Sequence, residues 1–132
     1  MSDTHEQSFP VIADFGYSKH LSEGQQLVKR CGTYGYTAPE ILSNTPYSFP
    51  IDIWSLGVLI FQLKTGEMPF HGIDTAKTKS ISQQYQLGPI LKGKFSSQIS
   101  SSLKNLLTGM LETDPEKRLT IQGTLAHKWF YE

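Results

Sequence analysis

The residue pattern predicts a mainly α-helical domain that opens with a short strand and a long loop, and three observations carry that prediction. Residues 51–65 are almost wholly apolar over the length of a helix. Leu103, Leu106, Leu107, Met110 and Leu111 recur at i, i+3, i+4, i+7 and i+8, the stripe of an amphipathic helix. Residues 17–39 lack periodicity and place Gly24, Gly32 and Gly35 among polar neighbours. An uninterrupted loop of more than about 15 residues in a compact domain is usually functional or disordered.

The elements follow in order along the chain. Residues 1–8 are polar and read as a loop. Phe9, Pro10, Val11, Ile12 and Ala13 form a short apolar, β-branched run that reads as a strand ending at Asp14. After the long loop, Pro39, Glu40, Ile41 and Leu42 open a short helix, and Pro46 and Pro50 bracket a turn. The apolar helix 51–65 ends where Gly66 can serve as its C-terminal cap. A helix apolar all round needs neighbours on every side. Residues 74–86 are weakly amphipathic and read as a helix broken near Gly88-Pro89. The leucine-rich helix has Ser100 to Ser102 as candidate caps and Asp114-Pro115 as its stop. Thr120 caps a last helix running through Trp129, with Gly123 inside it costing about 1 kcal/mol relative to Ala.

Composition narrows the function classes. The 132 residues make one small domain. Lys plus Arg and Asp plus Glu are 12 each, so bulk charge gives no reason to expect nucleic acid or an anionic membrane as partner. Cys31 is the single cysteine, which rules out an intrachain disulfide and a cysteine-rich zinc site. The longest apolar run is far below the roughly 20 residues a bilayer requires. The first residues contain no apolar stretch of signal-peptide type. The expected setting is intracellular, cytoplasmic or nuclear.

Several motifs carry chemistry. Asp14-Phe15-Gly16 sits where a strand meets the loop, and a carboxylate there, held by a buried Phe and freed by Gly, suits a hard cation such as Mg²⁺. Taken alone, the tripeptide reads more readily as an ordinary turn, Asp and Gly being common turn residues. The loop closes with Cys31-Gly32-Thr33-Tyr34-Gly35-Tyr36-Thr37-Ala38-Pro39-Glu40. Asp52-Ile53-Trp54-Ser55-Leu56-Gly57 opens the apolar helix, and Asp114-Pro115-Glu116-Lys117-Arg118-Leu119-Thr120 and His127-Lys128-Trp129-Phe130 follow. In this order and spacing, these blocks resemble the C-terminal lobe of the eukaryotic protein kinase family over residues 11–130. The form of residues 32–40 is similar to the serine/threonine branch, and calcium/calmodulin-dependent-like or related groups are nearest.

The resemblance implies a truncated protein-kinase-like C-terminal lobe, from an α+β parent fold, with a short β-strand pair near the N-terminus. Residues 1–132 would be a partial kinase domain, with an activation segment at 14–40 and lobe helices over about 41–130. It implies that Asp14 binds the Mg²⁺ bridging the ATP phosphates, with Phe15 a hydrophobic spine residue and Gly16 a hinge. Thr33 would hydrogen-bond the catalytic aspartate, and Tyr34, Gly35 and Tyr36 would shape the pocket for the residue after the phosphorylated one. Asp52 would anchor catalytic-loop amides, a helix N-cap being its alternative role. Glu40 and Arg118 would form an ion pair; two unrelated surface charges are the alternative. Trp54 and Trp129 are expected to pack, His127 to make a structural hydrogen bond, and Cys31 to be inert.

The sequence also departs from the family pattern. It contains no G-x-G-x-x-G loop, no V-A-I-K-type lysine and no His-Arg-Asp with its downstream Asn. ATP and Mg²⁺ therefore belong to the complete domain, and no catalytic set is complete here. With no helix of the kind that packs along residues 53–63 in the family, a large apolar face is expected to be exposed or misassembled. Two residues before Cys31, where many members carry a phosphorylatable Thr, stands Lys29. Gln62 stands where arginine-directed members present Glu, and Tyr17 after Asp-Phe-Gly goes with serine acceptors. Three functions follow: part of an active Ser/Thr kinase acting on protein substrates, a non-catalytic protein-binding module, or one half completed by a separate kinase half.

Overall fold

The computed structural model describes residues 10–70 and 85–132. Their architecture is helical. In chain order the helices are α1 (Pro39–Leu42), α2 (Pro50–Thr65), α3 (Leu87–Lys92), α4 (Ser101–Met110) and α5 (Ile121–Leu125), with 3-10 turns at Phe15–Tyr17 and Lys128–Phe130. The expected helix over 74–86 falls mostly outside the described residues.

α2 is the central rod. Pro50 begins it, a position where proline's missing N–H costs nothing. Gly66 ends it in the left-handed conformation at φ 76°, its N–H donating to the Gln62 carbonyl at 2.7 Å. Ile53, Trp54, Gly57, Val58 and Phe61 are buried along one side. Gly57 lets α4 come close: a Cβ there would lie 3.0 Å from Met110 and Leu111 side-chain atoms. Trp54 stacks on Phe70 with ring centres 5.5 Å apart and meets Tyr85 edge-on at 5.2 Å, while Phe61 meets Phe95 edge-on at 5.3 Å.

The opposite side of the rod is open. Leu56, Leu59 and Leu63 are exposed, at 38%, 41% and 78%. Their spacing puts them on one stripe with Asp52. Among the described residues these leucines form an exposed apolar stripe.

α4 buries Leu103, Leu106, Leu107 and Met110, and the Ser100 hydroxyl accepts from the Leu103 N–H at 3.2 Å. It ends at Met110 rather than at Asp114-Pro115, because the following chain turns back and Leu119 N–H donates to the Gly109 carbonyl at 3.0 Å. Thr120 caps α5 through Gly123 N–H at 3.1 Å, but this helix stops at Leu125. His127 starts a separate turn: its Nδ1 accepts from Trp129 N–H at 3.2 Å, which leaves Nε2 to donate to Asn105 Oδ1 at 2.9 Å.

Tyr85 and Gln86 are non-helical, and Gly88-Pro89 lies in the first turn of the next helix, α3, where backbone N–H groups have no intrahelical partner to lose. One further expectation is corrected. Residues 10–13 form no strand; Val11 and Ile12 are over 80% exposed and pair with nothing among the described residues. A strand requires a ladder partner. The one ladder contact described is the antiparallel bridge between Leu27 and Tyr47, so the expected strand pair near the N-terminus is absent from these residues.

Candidate functional site

The best-defined part of the site is its anchor. α1 delivers Glu40 into the interior, and the turn after Asp114 delivers Arg118 to meet it. Arg118 donates from its two terminal nitrogens to the two Glu40 oxygens at 2.6 and 2.9 Å, and both side chains are essentially sealed from water. The guanidinium also donates to the Pro50 carbonyl at 3.0 Å and, through Nε, to the Glu112 carbonyl at 2.8 Å. Its carbon lies 5.1 Å from the centre of the Trp54 ring. The planar fork of arginine matches a carboxylate in two places at once, which lysine cannot do. The turn that places Arg118 is held by Asp114, whose carbonyl accepts from Lys117 and Arg118 N–H. The hydrogen bond from Lys117, followed by that from Glu116 N–H, holds the Asp114 carboxyl below its usual range.

The segment running into α1 is tied down by its own polar groups. Tyr36 N–H and Thr37 Oγ1 both donate to the Thr33 carbonyl, at 3.1 and 2.9 Å. Ser55 of α2 donates to the Tyr36 carbonyl at 3.0 Å, and the Tyr36 hydroxyl donates to Gln62 Oε1. Gly35 has φ 92°, a conformation that strains any L side chain, and a Cβ there would also displace the Met68 methyl 2.7 Å away. The outcome is an open shelf. Thr33 and Tyr34 face solvent while Ala38 to Leu42 are buried behind them.

The remaining expected residues stand apart. Asp14 adopts the left-handed conformation at φ 62°, and its Oδ1 accepts from Gly16 N–H at 3.3 Å. Phe15 is 67% exposed, which corrects the expectation of a buried phenyl: the described residues do not cover it. The Thr33 hydroxyl and the Asp52 carboxylate make no hydrogen bond among the described residues. Asp52 is not a cap, since Phe49 occupies that position and the carboxylate sits within the first turn of α2. Its surroundings desolvate it and raise its pKa above the ordinary value.

The residues present do not by themselves fit a nucleotide–magnesium site. Mg²⁺ demands near-octahedral oxygen coordination, usually with phosphate oxygens and one or two carboxylates. Among the described residues no group of three or more His, Cys, Asp or Glu side chains stands ready to hold a metal. Asp14 supplies one candidate ligand and no more.

Two residues of this neighbourhood escape sequence reasoning. Ser55 fixes the shelf from below. Tyr47 is 5% exposed, and its hydroxyl donates to the Lys29 carbonyl at 2.5 Å. The only signal for Tyr47 was an aromatic residue in the turn between Pro46 and Pro50, and Phe49, a second aromatic there, is exposed and made that signal ambiguous.

Comparison with known proteins decides the family. A sequence model of the protein kinase domain matches residues 1–130. The chain belongs to the eukaryotic protein kinase family. Its relatives place it in the serine/threonine branch. It is 39% identical over 124 residues to calcium/calmodulin-dependent protein kinase type 1B of Homo sapiens, covering 94% of this chain and 35% of the relative. It is 38% identical over 124 residues to sperm motility kinase 3A of Mus musculus, covering 92% and 23%. SNF-related serine/threonine-protein kinase of Homo sapiens is 35% identical over 127 residues, covering 94% and 16%. The chain thus spans about a third or less of these kinases. The mostly helical architecture of the described residues is consistent with the C-terminal lobe of a kinase domain. No helix among the described residues is long and apolar enough to cross a membrane.

Proposed function

We propose that this chain is the part of a serine/threonine protein kinase domain that presents the protein substrate, in an enzyme that transfers the γ-phosphoryl group of ATP to Ser or Thr. The observation that carries the reading is the buried, two-point Glu40–Arg118 pair, which holds the shelf of Thr33, Tyr34, Gly35 and Tyr36 against α2. Phosphoryl transfer depends on positioning and charge stabilisation. A shelf locked by hydrogen bonds from Thr37, Ser55 and Tyr36 supplies the positioning of the acceptor segment.

In the complete domain Asp14 would hold Mg²⁺, and that ion would neutralise charge on the phosphates. The open carboxylate of Asp52 would receive catalytic-loop amides, and the Thr33 hydroxyl would meet the catalytic aspartate. On its own the chain lacks the phosphate-cradling loop, the strand lysine and the catalytic loop, so it is inactive and binds ATP poorly. Gln62, already engaged by Tyr36, offers no carboxylate for a basic substrate residue, and Tyr17 favours Ser over Thr. ATP as donor favours an intracellular setting, cytoplasmic or nuclear.

The exposed leucines of α2 favour a second possibility, in which a separate kinase half seats on Leu56, Leu59 and Leu63 and completes the enzyme. A non-catalytic module that binds proteins through the anchored shelf is the remaining reading.

The decisive test is a fusion placing the N-terminal lobe and catalytic loop of calcium/calmodulin-dependent protein kinase type 1B before Val11. It is expected to phosphorylate serine peptides and to lose that activity with Asp14→Ala. A folded, ATP-binding fusion with no transfer would refute the kinase reading. Transfer by the unfused chain, abolished by Asp14→Ala, would refute its inactivity.

A further inference from the structure

Residues 10–34 form a long limb that touches the rest of the described residues at few points. Only Leu21, Leu27 and Cys31 within it are even partly buried. All three line one cavity of about 320 Å³ between the limb and the N-terminal end of α2, together with Tyr47 and Asp52. Up to Cys31, every hydrogen bond from the limb to the remaining described residues goes to a single residue, Tyr47. Leu27 N–H donates to the Tyr47 carbonyl at 2.8 Å, and Tyr47 N–H donates to the Leu27 carbonyl at 2.9 Å. The Tyr47 hydroxyl donates to the Lys29 carbonyl at 2.5 Å and stands 3.7 Å from Cys31 Sγ.

We propose that Tyr47 is a phosphate-independent latch for the activation segment: its backbone and hydroxyl clasp residues 27–31 and hold the limb against the lobe. The clasp on residue 29 is to a carbonyl. It works with any side chain there, including the lysine that stands where other kinases carry a phosphorylatable threonine. A phosphate orders such a segment by recruiting cationic partners. Here a buried phenol does the same through donors and acceptors already in the chain. A segment held by so few bonds opens locally, without unfolding the lobe. The latch then sets the fraction of time for which the limb is closed. Burial, with help from the Cys31 contact, pushes the Tyr47 hydroxyl up to about 12, so it stays a donor at any physiological pH.

The regulatory meaning of the latch rests on the kinase reading, but its existence does not, and the test needs no catalytic activity. Cys31 is the only thiol in the chain, and Lys29 and Arg30 are exposed tryptic sites. Labelling of Cys31 by a soluble disulfide reagent and trypsin cleavage after Lys29 and Arg30 both report limb opening. Tyr47→Phe removes only the hydroxyl. It should raise both rates about threefold to tenfold, the range expected for one lost hydrogen bond. Tyr47→Ala should raise them further. Tyr131→Phe, which removes a hydroxyl bonded at 3.2 Å to the Leu125 carbonyl, should leave both unchanged. Cleavage after Lys104, inside α4, should stay slow in every variant. Equal rates in the unmodified chain and Tyr47→Phe overturn the latch. A parallel rise at Lys104 also overturns it, because the hydroxyl would then support the whole fold rather than the limb.

Discussion

Replacing Arg118 with Met removes the charge and every donor while keeping most of the volume. It strands a Glu40 carboxylate whose hydrogen bonds here both come from Arg118. It also orphans the bonds to the Pro50 and Glu112 carbonyls and the contact over Trp54. Breaking a buried pair from one side costs about 3–5 kcal/mol. Small domains hold only about 5–15 kcal/mol in total. Arg118→Met therefore removes about a fifth or more of the stability of the fold. Glu40→Gln also breaks the pair from one side, because it leaves the buried guanidinium without a counter-charge and turns an amide NH2 toward its donors, so it too should cost about 3–5 kcal/mol. The double variant Glu40→Leu with Arg118→Met should recover most of the loss, since two apolar residues leave no buried charge. Urea unfolding followed by tryptophan fluorescence measures all three, Trp54 lying directly against the pair. A variant unfolded in buffer can be refolded with trimethylamine N-oxide and its stability extrapolated back. The reasoning fails if Arg118→Met costs under about 1 kcal/mol, the worth of a surface pair. Strict additivity in the double variant would refute it equally.

Other perturbations separate the finished parts of the molecule from the open ones. Asp52→Asn should be neutral or stabilising near pH 7: desolvation raises the pKa of this carboxyl, so its charged form is penalised in the fold, and that penalty disappears as pH falls below 3.8. Urea midpoints for both proteins across the acid range check this, and a loss above about 1 kcal/mol would mean the carboxylate has a favourable partner. Tyr47 and Tyr85 are both pushed from 10 to about 12, mainly by burial. Their neutral hydroxyls add stability that is complete below pH 10 and is lost as pH rises through 12, which tyrosinate absorbance alongside urea midpoints should show. Leu63→Lys should cost almost nothing and reduce self-association in sedimentation, because Leu63 is 78% exposed. Phe61→Ala, on the buried side of the same helix, should cost about 3–5 kcal/mol.

The sequence foretold those features whose cause is local. α2 and α4 could be read because apolar residues at helical spacing, a Ser100 cap and a Gly66 stop act within one element. Glu40 and Arg118, 78 residues apart, were readable only as motif members, since nothing in periodicity brings them together. Tyr47 escaped because its role lies in hydrogen bonds to a carbonyl and a backbone bridge, which leave no pattern in side-chain chemistry. Gly88-Pro89 was legible as a boundary but not as the start of α3, because a proline signals an interruption while the first turn of a helix also accepts it.

The strand expected over residues 9–13, of which 10–13 are described, and the burial expected of Phe15 fail there for a shared reason: each needs a neighbour that the described residues do not provide. The same is true of the Thr33 hydroxyl, the Asp52 carboxylate and the leucines at 56, 59 and 63. The satisfied groups, Glu40, Arg118, Tyr36 and Thr37, all serve to hold the shelf onto the lobe. The unsatisfied ones are those that the kinase reading assigns to the nucleotide-handling half. A self-sufficient binding module would gain by replacing exposed leucines and a desolvated carboxylate with ordinary surface residues, because each is a liability in isolation. Their retention beside an intact anchor fits a surface shaped to be covered. That favours completion of the lobe by the rest of a kinase domain over a free-standing docking protein.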